Sequence, residues 1–297
     1  MKILIVSMRS IHTIRWVSQL KDSGHEFYYF DILNGGLINE WDWVTQYTNW
    51  RYKFGNFKGR YFLKKYFPGI HKIFENSVEK EFERILIKVK PDVVHSFAMH
   101  IACYPIYNIM TKYNNIKWIY SAWGNDLFYH QHKPEHANEI TKILPRIDYL
   151  FADCKRDLEL AKQLGFRGVI LGNFPGGGGF DLNYIDGNLI DILDREYILV
   201  KGYHGELHRG LNVIKALELI NNNFKIIIFS ADDEVYNYYK TSKALLSKNI
   251  IIYRVNENIY HKDFCNMMNK SLLYIGNNLT DGIPNTLLEA ICFGAFP

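Results

Sequence analysis

Apolar runs and amphipathic segments alternate along most of this chain. Short runs that read as buried strands fall at 2–6, 25–30, 92–95, 117–121, 148–152 and 168–171. A second set falls at 197–201, 224–229, 249–253 and 271–275. Between them lie segments whose apolar residues recur at helical spacing: 11–22, 73–89, 101–112, 155–164, 208–221, 233–246 and 260–268. Alternation of this kind predicts an α/β protein with parallel, doubly wound sheets. The opening run Met1-Lys-Ile-Leu-Ile-Val-Ser7 has no small-residue cleavage site behind it, so it predicts a first buried strand and not a leader.

One interruption dominates the middle of the chain, Gly172-Asn-Phe-Pro-Gly-Gly-Gly-Gly179. Four successive glycines hold neither helix nor strand. A glycine tract can also cradle phosphate, but such loops lead straight into a helix, and no helical pattern begins directly after Gly179. A linker or cleft wall is therefore expected near 172–195. The division predicted from it is residues 1–175 and residues 176–297, each with its own sheet.

With 297 residues the chain is long enough for two such domains. No run of 18 apolar residues occurs, so no membrane-spanning helix is expected. The cysteines, Cys103, Cys154, Cys265 and Cys292, are far apart and form no C-x-x-C pair, which suits a reducing, cytoplasmic setting. The net charge of +4 is too small to imply nucleic acid as a partner. The charge is uneven, however. No acidic residue lies between Asp42 and Glu75, a stretch holding Arg51, Lys53, Lys58, Arg60, Lys64, Lys65 and Lys72 among Trp50, Tyr52, Phe54, Phe57, Tyr61, Phe62, Tyr66 and Phe67. Basic and aromatic residues so interleaved suit either a solvated helix pair or an anionic membrane surface reached through residues 50–74.

The strongest candidate site is Asn277-Asn-Leu-Thr-Asp-Gly-Ile-Pro-Asn-Thr-Leu-Leu-Glu-Ala290, directly after the run 271–275. Asp281-Gly282 predicts a turn, and Pro284 suits a first helical position. The free amides of the following turn, at Ile283, Asn285 and Thr286 with Pro284 between them, form a ready anion site. Asn285 and Glu289 are four apart and share a helix face. Glu289 sits among Leu287, Leu288, Ala290 and Ile291, so its carboxylate needs a partner. A ribose diol is one; a protein group is the other.

The segment "DGIPNTLLEAICFGAFP", with Asp281-x7-Glu289, resembles the E-x7-E signature of glycosyltransferase family 4, whose members are retaining enzymes of the GT-B fold. The resemblance runs through "GHEF" at 24–27, "KPDVVHSF" at 90–97, "SAWGNDLF" at 121–128 and "VKGYHGELHRGLNVIKAL" at 200–217. It implies two Rossmann-like domains facing a cleft, with the second incomplete, and transfer of a hexose from a nucleotide-sugar to a glycan or lipid-linked acceptor. It further implies retention by front-face attack assisted by the leaving phosphate, a role in cell-surface polysaccharide synthesis, and a cytoplasmic or peripheral membrane location. Glu289 would hold the ribose, Arg209 and the amides at 283–286 the diphosphate, and Asp281 and Gly282 the donor sugar. Gly202 and Gly205 would let the backbone approach the phosphates. A fixed cation there removes the need for a metal or other cofactor, so activity is expected to survive EDTA.

Three departures stand out. Asp281 replaces the usual first Glu. Trp123 stands where the family has a cleft histidine, which makes Asp126 the nearest polar candidate, on the acceptor side. The family's first donor-loop cation falls near His204. The segment "HQHKPEH" holds His130, His132, Glu135 and His136, but its spacing matches no standard zinc signature and Pro134 interrupts it, so no metal site is expected. His95 and His100 could line the cleft or serve as structural histidines. The chain closes a helix at Gly294 and begins another strand before Pro297, so truncation of a longer protein is expected, with the second domain opening more easily than residues 1–171. A truncated, inactive glycan- or partner-binding remnant is the alternative. A nicotinamide enzyme is disfavoured, because Ser7-Met-Arg-Ser-Ile-His12 has no glycine.

Overall fold

The computed structural model describes residues 1–53, 59–221 and 224–297, with Arg60 described for its backbone only. Phe54, Phe57, Lys58 and the Arg60 side chain, counted above in the basic-aromatic stretch, lie outside the described residues. The chain divides into two compact units, Met1–Gly179 and Phe180–Pro297.

Unit 1 is a seven-stranded sheet in the order β3-β2-β1-β4-β5-β6-β7, every pairing parallel. Its strands are β1 Lys2–Ser7, β2 Glu26–Asp31, β3 Thr45–Tyr47, β4 Val93–Phe97, β5 Lys117–Ala122, β6 Tyr149–Ala152 and β7 Val169–Asn173. The helices are α1 Ile11–Ser18, α2 Arg60–Tyr66, α3 Pro68–Ile73, α4 Val78–Val89, α5 Tyr107–Lys112, α6 Asn125–Phe128, α7 Pro134–Ile143 and α8 Lys155–Gln163. Leu4, Val6, Val94, Trp118, Tyr120 and Leu150 build one core layer with Phe82, Ile85 and Leu86 of α4. Ile5, Tyr29 and Phe97 build the other with Val17 of α1 and Trp41. Both faces are covered, which is why these strands read as continuous apolar runs.

Unit 2 is a four-stranded parallel sheet in the order β10-β9-β8-β11. It comprises β8 Tyr197–Lys201, β9 Lys225–Ala231, β10 Ile250–Arg254 and β11 Ser271–Ile275. The helices are α9 Leu182–Asp186, α10 Gly210–Leu219, α11 Asp233–Thr241, α12 Lys243–Leu246, α13 His261–Asn269 and α14 Asn285–Cys292. Beyond β11, Phe296 exchanges backbone hydrogen bonds with Leu272 and Tyr274 at 2.9 and 2.8 Å.

Several local features differ from the sequence expectations, each for a physical reason. The pattern at 73–89 is not one helix. Ser77 starts α4 afresh, its hydroxyl accepting the Lys80 amide at 3.5 Å, and Lys90 ends it in the left-handed region. Pro134, which interrupts the histidine segment, begins a helix, at the position where a missing amide costs nothing. Pro284 caps α14 from outside in extended conformation, and Asn285 is its first helical residue. β3 has only three residues, too few to show a period. The glycine tract belongs to unit 1: the Gly176 amide donates to Asp153 Oδ1 at 2.8 Å, and the division falls after Gly179.

Candidate functional site

In unit 2, β9 lies on one side of β8 and β11 on the other. The chain therefore leaves the carboxyl ends of β8 and β11 in opposite directions, and a crevice opens at such a switch point. The loops at its rim run from 202 to 209, before α10, and from 276 to 284, before α14.

These loops are stitched to each other. His208 Nδ1 and Asn278 Oδ1 lie 2.7 Å apart. The Leu279 amide donates to the Leu207 carbonyl at 3.0 Å, and the Arg209 amide to the Asn277 carbonyl at 2.8 Å. Asn278 Nδ2 in turn donates to Asp281 Oδ2 at 2.9 Å. Gly210 opens α10 tightly under the loop: a Cβ there would meet the Tyr203 carbonyl at 2.4 Å. Gly205 has φ +130 with nothing within 4 Å of a would-be Cβ, so its backbone is bare on that side. Gly202 does not; its missing side chain faces Ala231 and Ile228 of β9, so it serves sheet packing.

Two cations stand at this rim. Arg209 Nη1 donates to the carbonyls of Gly205 and His208, which holds the guanidinium along its own loop. Lys201, the last residue of β8, is half-buried. Burial pulls its ammonium below the usual lysine range, while Asp281 pushes the other way. Opposite them, α14 starts without a side-chain cap, so its first-turn amides carry the positive end of the helix dipole toward the rim. Thr286 Oγ1 pairs with Tyr274 Oη at 2.8 Å, and burial pushes that phenol up to about 12. Glu289 is 6 % exposed, and its Oε1 lies 2.8 Å from His261 Nε2 of α13.

No family model matches the chain, and no curated protein matches it in sequence. Solved structures do match in shape. The lipopolysaccharide outer core galactosyltransferase WaaB, in apo form, is 15% identical with a TM-score of 0.60, covering 99% of this chain and 79% of its own. HepE of Anabaena, in complex with UDP, is 12% identical with a TM-score of 0.67 over the same shares. The fold is GT-B. The UDP-GlcNAc 2-epimerase of Methanocaldococcus jannaschii is similar as well, at 15% identity and a TM-score of 0.54, covering 99% of this chain and 82% of its own.

Within this GT-B chain, unit 2 gathers Gly205, Arg209, Asp281, Gly282, Ile283, Pro284, Asn285, Thr286 and Glu289 on two adjoining loops and one helix. Sequence reasoning missed Lys201, whose signal was a lysine closing an apolar strand, and His261, whose signal was a histidine opening an amphipathic helix.

Asp126 is a correction. Its side chain is fully buried in unit 1 and accepts from the Met99 amide at 2.7 Å, the Tyr120 hydroxyl at 2.6 Å and the Trp123 amide at 2.9 Å. A carboxylate so enclosed braces the turn after β4, where Ala98 takes φ +65, and presents nothing to an acceptor. His95 is also interior, with Nε2 2.8 Å from Ser121 Oγ; burial pushes it down to about 3. His100, His130 and His136 pack ring to ring, with centroids 4.4 and 4.5 Å apart on either side of His130. Burial pushes His100 down to about 4.

Proposed function

We propose that this protein is a retaining hexosyltransferase that moves a sugar from a nucleotide-sugar to a glycan or lipid-linked acceptor. The observation that carries it is the meeting of Lys201, Arg209 and the uncapped start of α14 at one switch point, with Glu289 one turn further along the same helix. A nucleoside diphosphate fits that arrangement. Its phosphates would take the two cations and the amides of Asn285 and Thr286, and its ribose diol would take Glu289 Oε1. Asp281 and Gly282 would meet the donor sugar.

In the transition state, negative charge builds on the departing β-phosphate. Cations and amides already in place stabilise that charge without reorganisation. No protein nucleophile and no metal are invoked, and transfer would survive EDTA. The similar structures support the donor class: HepE is bound to UDP, and WaaB is a galactosyltransferase.

Exposed apolar residues on α2 and α3 support an acceptor at a membrane surface. Tyr61, Phe62, Tyr66, Phe67, Ile70 and Ile73 face solvent beside Lys64, Lys65 and Lys72. No helix among the described residues is long and apolar enough to cross a membrane, so contact there would be peripheral.

The test is calorimetric titration with UDP, followed by incubation with UDP-hexoses and product analysis. UDP binding with release of free sugar or transfer supports the proposal. A failure to bind any nucleoside diphosphate rejects it. Inversion at C2 of UDP-GlcNAc without release of UDP would favour epimerisation, the activity for which the Methanocaldococcus jannaschii neighbour is named.

A further inference from the structure

Three side chains of different metal-binding types meet between α13 and α14. His261 and Cys265 are four apart on α13 and share one face of that helix. Glu289 reaches them from α14. One ligand atom from each lies within 4.8 Å of the others. His261 Nε2 is 2.8 Å from Glu289 Oε1, and Cys265 Sγ is 3.7 Å from either ring nitrogen of His261. Among the described residues this is the one group of three histidine, cysteine, aspartate or glutamate side chains so gathered.

We propose that this triad is a zinc site. Zinc accepts imidazole nitrogen at ~2.0 Å, carboxylate oxygen at ~2.1 Å and thiolate sulfur at ~2.3 Å, which in a tetrahedron sets ligand atoms roughly 3.4–3.7 Å apart. The observed spacings bracket that range, so small side-chain rotations seat the ion. A thiolate, a carboxylate and a neutral imidazole balance the charge of Zn2+, which suits Cys265 and Glu289, both nearly buried. Binding displaces the thiol proton to solvent. Phe264, Met267, Leu287 and Ala290 pack the two helices around the triad and hold the donors in place. The His261 side chain is 62 % exposed, which opens an entry path. Three protein donors leave a fourth position for water or an anion.

The consequence for nucleotide rests on the donor proposal above. Zinc would occupy the carboxylate that otherwise receives the ribose, so ion and nucleoside would exclude one another and the ion would act as an inhibitor.

The experiment titrates the metal-stripped chain with Co2+ and reads the thiolate-to-cobalt charge-transfer band, then displaces cobalt with zinc. One cobalt per chain is expected, with the band lost in Cys265→Ser and kept in Cys154→Ser. Affinity should fall roughly tenfold or more in His261→Ala and in Glu289→Gln. The His261 side chain is itself 62 % exposed, and circular dichroism checks that His261→Ala is folded, so that variant remains informative if Cys265→Ser misfolds. No band, or a band that survives Cys265→Ser with affinity unchanged in His261→Ala, overturns the site. A second arm measures uridine, which has no phosphate to chelate the ion, with and without zinc. Weaker uridine binding with zinc supports the exclusion. Zinc binding that leaves uridine affinity unchanged keeps the metal site and removes Glu289 from the ribose.

Discussion

The Gly176 amide donates to Asp153 Oδ1 at 2.8 Å, and a Cβ on Gly176 would lie 2.2 Å from that same oxygen. Two residues on, a Cβ at Gly178 would lie 2.6 Å from the Trp16 amide nitrogen of α1. The tract is thus pressed onto unit 1, where it walls a cavity of about 370 Å3 with Trp16, Phe151 and Phe174. Gly176 and Gly178 serve close approach, not flexibility.

This contrast can be measured within the tract. Gly178 has φ +78 and meets backbone, whereas the nearest atom to a Cβ on Gly179 is Gln19 Oε1 at 3.7 Å. Gly178→Ala should cost about 1–3 kcal/mol through overpacking. Gly179→Ala should change stability by no more than about 0.5 kcal/mol. Urea unfolding followed by tryptophan fluorescence reads both, and equal effects would refute the packing account.

The donor proposal separates phosphate from ribose. Arg209→Ala and Lys201→Met should each weaken UDP about tenfold or more, the scale of a charged hydrogen bond, and leave uridine unchanged. Glu289→Ala should weaken UDP and uridine alike by about 1–3 kcal/mol, because the hydroxyls it received lose their acceptor. Calorimetry with both ligands decides. If Arg209→Ala lowers uridine affinity as much as UDP affinity, the arginine is structural.

Asp126 offers a test by pH. Burial, ahead of the hydrogen bonds that oppose it, pushes its carboxyl up to about 6 from 3.8. The folded state then holds a proton that the unfolded chain has released, so stability falls as pH rises between those two values. The advantage of the natural protein over Asp126→Asn should therefore be larger at pH 4 than at pH 7, by roughly 1–3 kcal/mol. Denaturant melts at the two pH values give the difference. An advantage that grows with pH would show the opposite sign and reject the buried, protonated state.

The α2–α3 surface is testable with vesicles. Phe62 and Phe67 are 59 % and 48 % exposed, with centroids 6.1 Å apart. Sedimentation with vesicles rich in phosphatidylglycerol should fall in Phe62→Ser/Phe67→Ser and at high salt, and should be weak with neutral vesicles. Binding indifferent to lipid charge would argue against an anionic surface.

Much of this was legible in the residues. Strands such as Ile226-Ile-Ile-Phe229 are buried on both faces, so their apolar runs survive any context and ten of them could be read directly. The motif from Asp281 to Glu289 was legible because turn, proline and periodic helix follow one another locally. What escaped depended on distant partners. His261 and Glu289 are 28 positions apart, and nothing in either neighbourhood announces their contact. Asp126 read as a polar group on the acceptor side, two residues after Gly124, and only the folding of Met99 and Tyr120 around it makes it interior. The helix that Pro134 opens went unread because a proline inside a loop and a proline opening a helix have the same local signature.

The stitch between His208 and Asn278 joins residues 70 positions apart. The intervening chain supplies β9, β10 and β11, so the rim cannot close until the sheet behind it has formed. Contacts of such long range form late, and loops held mainly by each other open at lower free energy than the strands beneath. The rim proposed to hold nucleotide should thus assemble no earlier than that sheet and open before it. A ligand that bridges the two loops adds its binding free energy to their closure. Hydrogen exchange at Leu279 and Arg209 should slow on UDP addition far more than exchange in β8, and an equal slowing would show that the rim is as firmly built as the sheet.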